Sequence, residues 1–111
     1  MSTYKPQADA VLEFLGTLSE EHAGIAEGFK KLHSSSTTDG ALSSKHKELM
    51  ALGIGISVRC EGCIAFHTAA ALKAGATQEE IVETVGVAVL MGGGPAVVYG
   101  KKAYEAMEEF S

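Results

Sequence analysis

Lys45-His-Lys-Glu-Leu-Met-Ala-Leu-Gly-Ile-Gly-Ile-Ser-Val58 is the stretch that decides the fold class. Leu49, Leu52, Gly53 and Ile56 fall at i, i+3, i+4 and i+7, the repeat of one helical face. Met50, Ile54 and Val58 fill much of the remaining circumference. The spacing predicts a helix over about 43–58, capped by Ser43 or Ser44 and buried on most sides.

Outward from it the same period continues. Arg59 to Gly62 interrupts the pattern, and a helix resumes over about 61–74, closed by Gly75 as a natural residue just past a helix end. Thr77-Gln-Glu-Glu80 reads as a capping box that opens an apolar helix from Ile81 to about Met91. Gly92-Gly-Gly-Pro95 stops it and starts a last helix, with Ala96, Tyr99, Ala103, Met107 and Phe110 on one face. Without a preceding strand, a Lys or a Ser/Thr of the phosphate-loop kind, these glycines are a helix break. Upstream, Val11, Leu12, Phe14 and Leu15 share one side of a helix after Pro6. Ser19 before Glu20 and Glu21 reads as the cap of another, which carries Ile25, Phe29 and Leu32. Ser34 to Gly40 reads as a loop by composition. No segment alternates with period two, so the expected fold class is all-α, about six helices in one domain over 1–111.

A chain of 111 residues buries roughly 65% of its unfolded surface, enough for a modest core. Aromatics are only 6% and Trp is absent, so small side chains must pack closely, with a partner subunit completing the burial. Nine basic residues against fourteen acidic ones give a net charge of −5, which disfavours phosphate backbones and anionic membrane surfaces as partners. No apolar run reaches the ~18 residues of a membrane span. The first residues lack an apolar signal core, so the expected compartment is the cytoplasm.

The two cysteines, Cys60 and Cys63, form a Cys-x-x-Cys pair. A disulfide closing so short a loop stabilises by only about 2 kcal/mol in the chain-entropy picture. In a reducing compartment such a pair more often binds metal or cycles between dithiol and disulfide. Cys60, Cys63 and His67 lie three and four residues apart, which places them on one helical stripe. Cys60 falls at or just before the helix start, where free N–H groups and the helix dipole favour a thiolate. His67 is within reach of Cys63 as a base, and Glu48, in an otherwise apolar helix, is the obvious partner for His67. A Glu48–His67–Cys63 relay would let the carboxylate orient an imidazole that withdraws a thiol proton.

Other readings stand beside this one. Zinc would need two ligands besides the cysteines, from His67, Glu48 or His46, and these converge poorly on a tetrahedron. Haem attachment is excluded because Ile64 follows Cys63. His67 alone could be a core histidine bonded to a carbonyl, and Glu48 alone a solvated residue of a helix start. His22, His33 and His46 sit among polar residues and are expected at the surface; Met91 and Met107 are expected in the core.

Three stretches together, Lys45-His-Lys-Glu-Leu-Met-Ala-Leu52, Cys60-Glu-Gly-Cys-Ile-Ala-Phe-His67 and Ala71-Leu-Lys-Ala-Gly-Ala-Thr-Gln-Glu-Glu-Ile81, resemble the carboxymuconolactone decarboxylase superfamily, in particular its alkyl hydroperoxidase D-like branch. The branch's pattern is a Glu, eleven residues, Cys-x-x-Cys, three residues and His. Glu48, Cys60, Cys63 and His67 match it at every position, and the clear resemblance covers about 43–91. It implies an all-helical subunit in a homotrimer or homohexamer. It also implies an oxidoreductase that reduces disulfides or hydroperoxides, with no cofactor beyond the redox-active Cys60–Cys63 disulfide. A thiol electron-donor protein would re-reduce that disulfide. In the resembling branch the second cysteine is the one tied to the Glu–His relay, which favours Cys63 as nucleophile. Members that are true lactone decarboxylases generally lack the cysteine pair. Gly62 stands where some peroxidase members carry a second His, so one proton-relay group of those members is absent here. The alternatives are an acid–base enzyme of decarboxylase type using Glu48 and His67 without redox chemistry, and a redox-sensing or zinc-binding module.

Overall fold

Caps and glycines divide the chain into six helices. A computed structural model describes residues 3–111, with α1 at Tyr4–Glu21, α2 at Ala23–Thr37, α3 at Ser44–Ser57, α4 at Glu61–Lys73, α5 at Gln78–Gly92 and α6 at Gly94–Phe110. Every regular element among the described residues is a helix, so the all-α expectation holds.

The local signals act where the sequence places them. The Ser43 hydroxyl accepts the His46 N–H at 3.1 Å and starts α3. At Thr77 both halves of the capping box form: the Thr77 hydroxyl accepts the Glu80 N–H at 3.1 Å, and Glu80 Oε1 accepts the Thr77 N–H at 2.8 Å. The other Glu80 oxygen meets Lys45 Nζ at 2.8 Å, which ties the start of α5 to the start of α3. Helix α4 ends with Gly75 at φ +99, and α5 passes to α6 through Gly93 at φ +66.

Helices α3 to α6 make the main core. Leu49, Leu52 and Ile56 of α3 meet Ile64 and Ala71 of α4, Ile81 and Ala88 of α5, and Ala96, Ala103 and Met107 of α6. Alanines let the helices approach closely, and at Gly100 a Cβ would lie only 2.7 Å from Val85 Cγ1. Helix α1 packs on α4 and α6 through a second cluster of Tyr4, Ala8, Ala65 and Ala106. The Glu109 carboxylate of α6 clasps its first turn, accepting the N–H groups of Thr3, Tyr4 and Lys5 at 2.7–3.2 Å. Helix α2 lies mainly against α1 and buries a single residue, Ala26.

Four expectations need correction. Ser19 caps nothing: α1 continues through it to Glu21, and the break falls at His22, whose ring nitrogen accepts the Ile25 N–H at 3.3 Å. The serine-rich run is helical to Thr37, so the connector begins only at Thr38. The part of α3 away from the core is not covered within one chain: Met50, Ile54 and Val58 are exposed, and they continue into Val87, Leu90 and Met91 of α5. Met107 is core, as expected, but Met91 is 79% exposed.

Candidate functional site

The turn between α3 and α4 aims the cysteine pair. The Cys60 N–H reaches back to the Gly55 carbonyl at 3.0 Å, and the Arg59 N–H to Ile56 at 3.2 Å. This six-to-one and five-to-two pair requires a left-handed residue between helix and exit, and here it is Arg59 at φ +59 rather than a glycine. The chain therefore leaves α3 sharply and enters α4 with Cys60 as its N-cap, in extended conformation. Cys60 Sγ accepts the Cys63 N–H at 3.2 Å. A thiolate at this position would gain from the same N–H and from the positive end of the α4 dipole. Cys60 and Cys63 are joined as a disulfide, with Cα atoms 5.2 Å apart.

Behind the pair, α3 comes unusually close. A Cβ at Gly55 would lie 3.2 Å from Cys63 Cβ, tighter than ordinary van der Waals contact, so glycine eases this close approach of the two helices. One helical turn beyond Cys63, His67 Nδ1 lies 2.8 Å from Glu48 Oε2, and the Glu48 side chain is only 5% exposed. An ionised carboxylate accepts here from Nδ1–H, and in the neutral imidazole of that tautomer Nε2 carries the lone pair. The contact places a buried carboxylate beside the one polar group that satisfies it.

Cys60, Cys63 and His67 open on a cleft of about 640 Å³ between α1, α2 and α4. Its walls are chiefly apolar, with Val11, Leu12 and Leu15 from α1, Phe29 from α2 and Phe66 from α4. A ring ladder runs along it: Phe66 packs edge-on against His67 at 5.2 Å and against His33 at 5.7 Å. His33 is thus not the surface residue the sequence suggests. It is partly buried at the cleft, and its Nε2 is enclosed without a hydrogen-bond partner. Its spacing of four from Phe29, on the face that faces α1 and α4, is the signal that could have found it. His22 and His46 are exposed as expected. Gly62 also lines the cleft, where a side chain would point toward Val11. Among the described residues no three His, Cys, Asp or Glu side chains gather as a metal set.

All four residues singled out from the sequence therefore lie together: Cys60 and Cys63 are bonded, His67 shares their cleft, and Glu48 holds His67 from below. Known proteins carry the same architecture. The lpg0406 protein of Legionella pneumophila, a carboxymuconolactone decarboxylase family protein, superposes with a TM-score of 0.93 at 41% identity, covering 97% of this chain and 96% of that one. A Thermotoga maritima member of the family, described as "possibly involved in antioxidative response", superposes with a TM-score of 0.82 at 30% identity, covering 94% of this chain and 88% of that one. An uncharacterised protein of the Paracoccus denitrificans cox locus is 35% identical over 104 residues, which span 94% of this chain and 91% of that protein. The profile of the carboxymuconolactone decarboxylase family matches residues 23–106, and the chain belongs to that family.

Proposed function

We propose that this protein is a thiol-dependent oxidoreductase in which Cys60 and Cys63 reduce a disulfide or a hydroperoxide. The observation that carries the reading is the cysteine pair lining a chiefly apolar cleft together with an imidazole held by a buried carboxylate. The words "possibly involved in antioxidative response", used of the Thermotoga relative, agree with it.

In the reduced protein, His67 Nε2 takes the Cys63 proton while Glu48 steadies the imidazolium through Nδ1. The Cys63 thiolate attacks one sulfur of the substrate disulfide, forming a mixed disulfide and expelling the other sulfur as a thiolate, which takes the proton back from His67. With a hydroperoxide, the thiolate attacks the terminal oxygen; the O–O bond breaks, an alcohol leaves with that proton, and Cys63 becomes a sulfenic acid. Cys60 then attacks the Cys63 sulfur, releasing the second thiol or water, and the Cys60–Cys63 disulfide closes. A dithiol donor protein returns two electrons and two protons. The chemistry asks for no cofactor or metal beyond this disulfide.

Among the described residues no helix is long and apolar enough to cross a membrane; the cytoplasm, where thiol donors are abundant, suits the proposed reaction. We further infer a homotrimer or homohexamer, because the apolar face of α3 and α5 is too large to leave in water. The test of the mechanism is trapping with a chromogenic aryl disulfide. Cys60→Ser should hold a stable mixed disulfide through Cys63, whereas an adduct formed only by Cys63→Ser would make Cys60 the attacking residue.

A further inference from the structure

The cleft has a charged side that the redox step does not use. Its lining includes no Asp or Glu, in a chain whose net charge is −5. Lys30 lines it, and this ammonium forms no ion pair among the described residues, while Lys5, Lys45 and Lys102 each hold a carboxylate. His33 follows Lys30 by three residues, so both sit on one face of α2, across the cleft from the disulfide on α4. Beside these polar groups and Ser34, the lining is chiefly the apolar side chains of α1 with Phe29 and Phe66. The His33 Nε2 atom is enclosed with no partner among the described residues, an arrangement that native proteins rarely leave unanswered. Helix α2, which buries only Ala26, is the wall freest to adjust and offer it one.

We propose that the cleft binds an apolar chain ending in a carboxylate, with Lys30 and His33 taking the carboxylate and the aliphatic and aromatic walls taking the chain. A cavity of about 640 Å³ is of the size that encloses such a small ligand. A cation beside a histidine, with no competing carboxylate, selects an anionic head by charge-assisted hydrogen bonds. That this ligand is the oxidised substrate rests on the redox function proposed above; the binding itself does not.

The test compares octanoate with 1-octanol on the resting, disulfide-bonded protein by calorimetry, with NMR shifts at Phe29, His33 and Phe66 to place the ligand. Octanoate should bind about tenfold more tightly than octanol. Lys30→Met should bring octanoate down to the octanol level while leaving octanol unchanged, and Lys30→Glu should reverse the order. Lys30 is exposed, so neither change threatens the fold. Equal affinities in the wild type, a preference that survives Lys30→Glu, or no binding of octanoate would each overturn the proposal. Reduction of bis(2-hydroxyethyl) disulfide, a neutral substrate, is measured in parallel. If it proceeds while octanoate shows no preference, the carboxylate subsite alone falls; if octanoate binds and no disulfide is reduced, the redox reading falls.

Discussion

His67 and Glu48, nineteen residues apart in sequence, meet at 2.8 Å between α4 and α3, and the carboxylate beneath the imidazole is almost wholly buried. The pair joins the helix that carries the disulfide to the helix that closes its back. In the proposed mechanism the carboxylate accepts from Nδ1–H and so leaves Nε2 as the nitrogen that takes a proton.

Glu48→Gln keeps an acceptor for Nδ1–H but removes the charge that stabilises imidazolium. The alkylation rate of the reduced protein near neutral pH should fall about 10²-fold, with the helical circular dichroism unchanged. His67→Gln should slow alkylation comparably. Rates that match wild type across the pH range in both variants would remove the relay from the mechanism.

Two glycines of α3 should respond oppositely to alanine. At Gly53 a new Cβ would meet Thr84 Cγ2 at 3.5 Å, an ordinary contact, so Gly53→Ala should stabilise by up to about 1 kcal/mol through helix propensity. At Gly55 it would press on Cys63 Cβ at 3.2 Å, with the Cys63 carbonyl carbon and Ile64 nitrogen at 3.7 Å behind it. Gly55→Ala should destabilise by about 1–3 kcal/mol despite the same gain in propensity. Denaturant midpoints of the two oxidised variants decide it, and a stabilised Gly55→Ala would contradict the close approach.

The chain ends should loosen at both extremes of pH. The N–H groups of Thr3, Lys5 and Tyr4 hold the Glu109 carboxyl below its ordinary range. A depressed folded-state value contributes stability above the unfolded value and loses it as pH falls through the folded one, so the clasp weakens in acid. Tyr4 behaves in the opposite sense: burial, then the 3.0 Å bond to Glu105, push its phenol up to about 12. Its contribution is complete below pH 10 and disappears as pH rises toward 12. Ultraviolet titration should show a late tyrosinate step that Tyr4→Phe abolishes, and Glu109→Gln should flatten the acid limb of the stability curve.

The apolar face of Met50, Ile54, Val87, Leu90 and Met91 should be the seam between copies. Leu90 is 80% exposed and Ile54 61%. Ile54→Lys with Leu90→Lys should shift the mass measured by light scattering from that of an oligomer to that of one chain. A wild-type protein that runs as a monomer at micromolar concentration would refute the seam.

How much of this was legible depended on the range of the forces involved. Caps and turns act within four residues, so Ser43, Thr77 with Glu80, Gly75 and the Gly92–Pro95 break could be read from the sequence directly. The Glu48–His67 contact was legible because a carboxylate in an otherwise apolar helix needs a polar partner, and the stripe of Cys60, Cys63 and His67 offered one. Ser19 misled because a hydroxyl before two glutamates is a good cap in isolation, whereas continued packing of α1 on α4 favours helix through it. The serines of α2 misled likewise, since composition says nothing of what a helix end rests on. His33 escaped because its neighbours in sequence are polar, while its neighbours in space are Phe29 and Phe66. The Glu109 clasp spans more than a hundred residues, and no local rule reaches it.

In the proposed function, Cys60 and Cys63 cycle between dithiol and disulfide to reduce a substrate. The most direct measurement mixes pre-reduced protein with excess bis(2-hydroxyethyl) disulfide or an organic hydroperoxide and follows protein thiols and substrate together. Two thiols should disappear for each substrate reduced, the Cys60–Cys63 disulfide should be the product, and Cys63→Ser should stop the reaction. Substrate turnover that persists in the double Cys60→Ser, Cys63→Ser variant would contradict it and leave acid–base chemistry at Glu48 and His67 as the activity to explain.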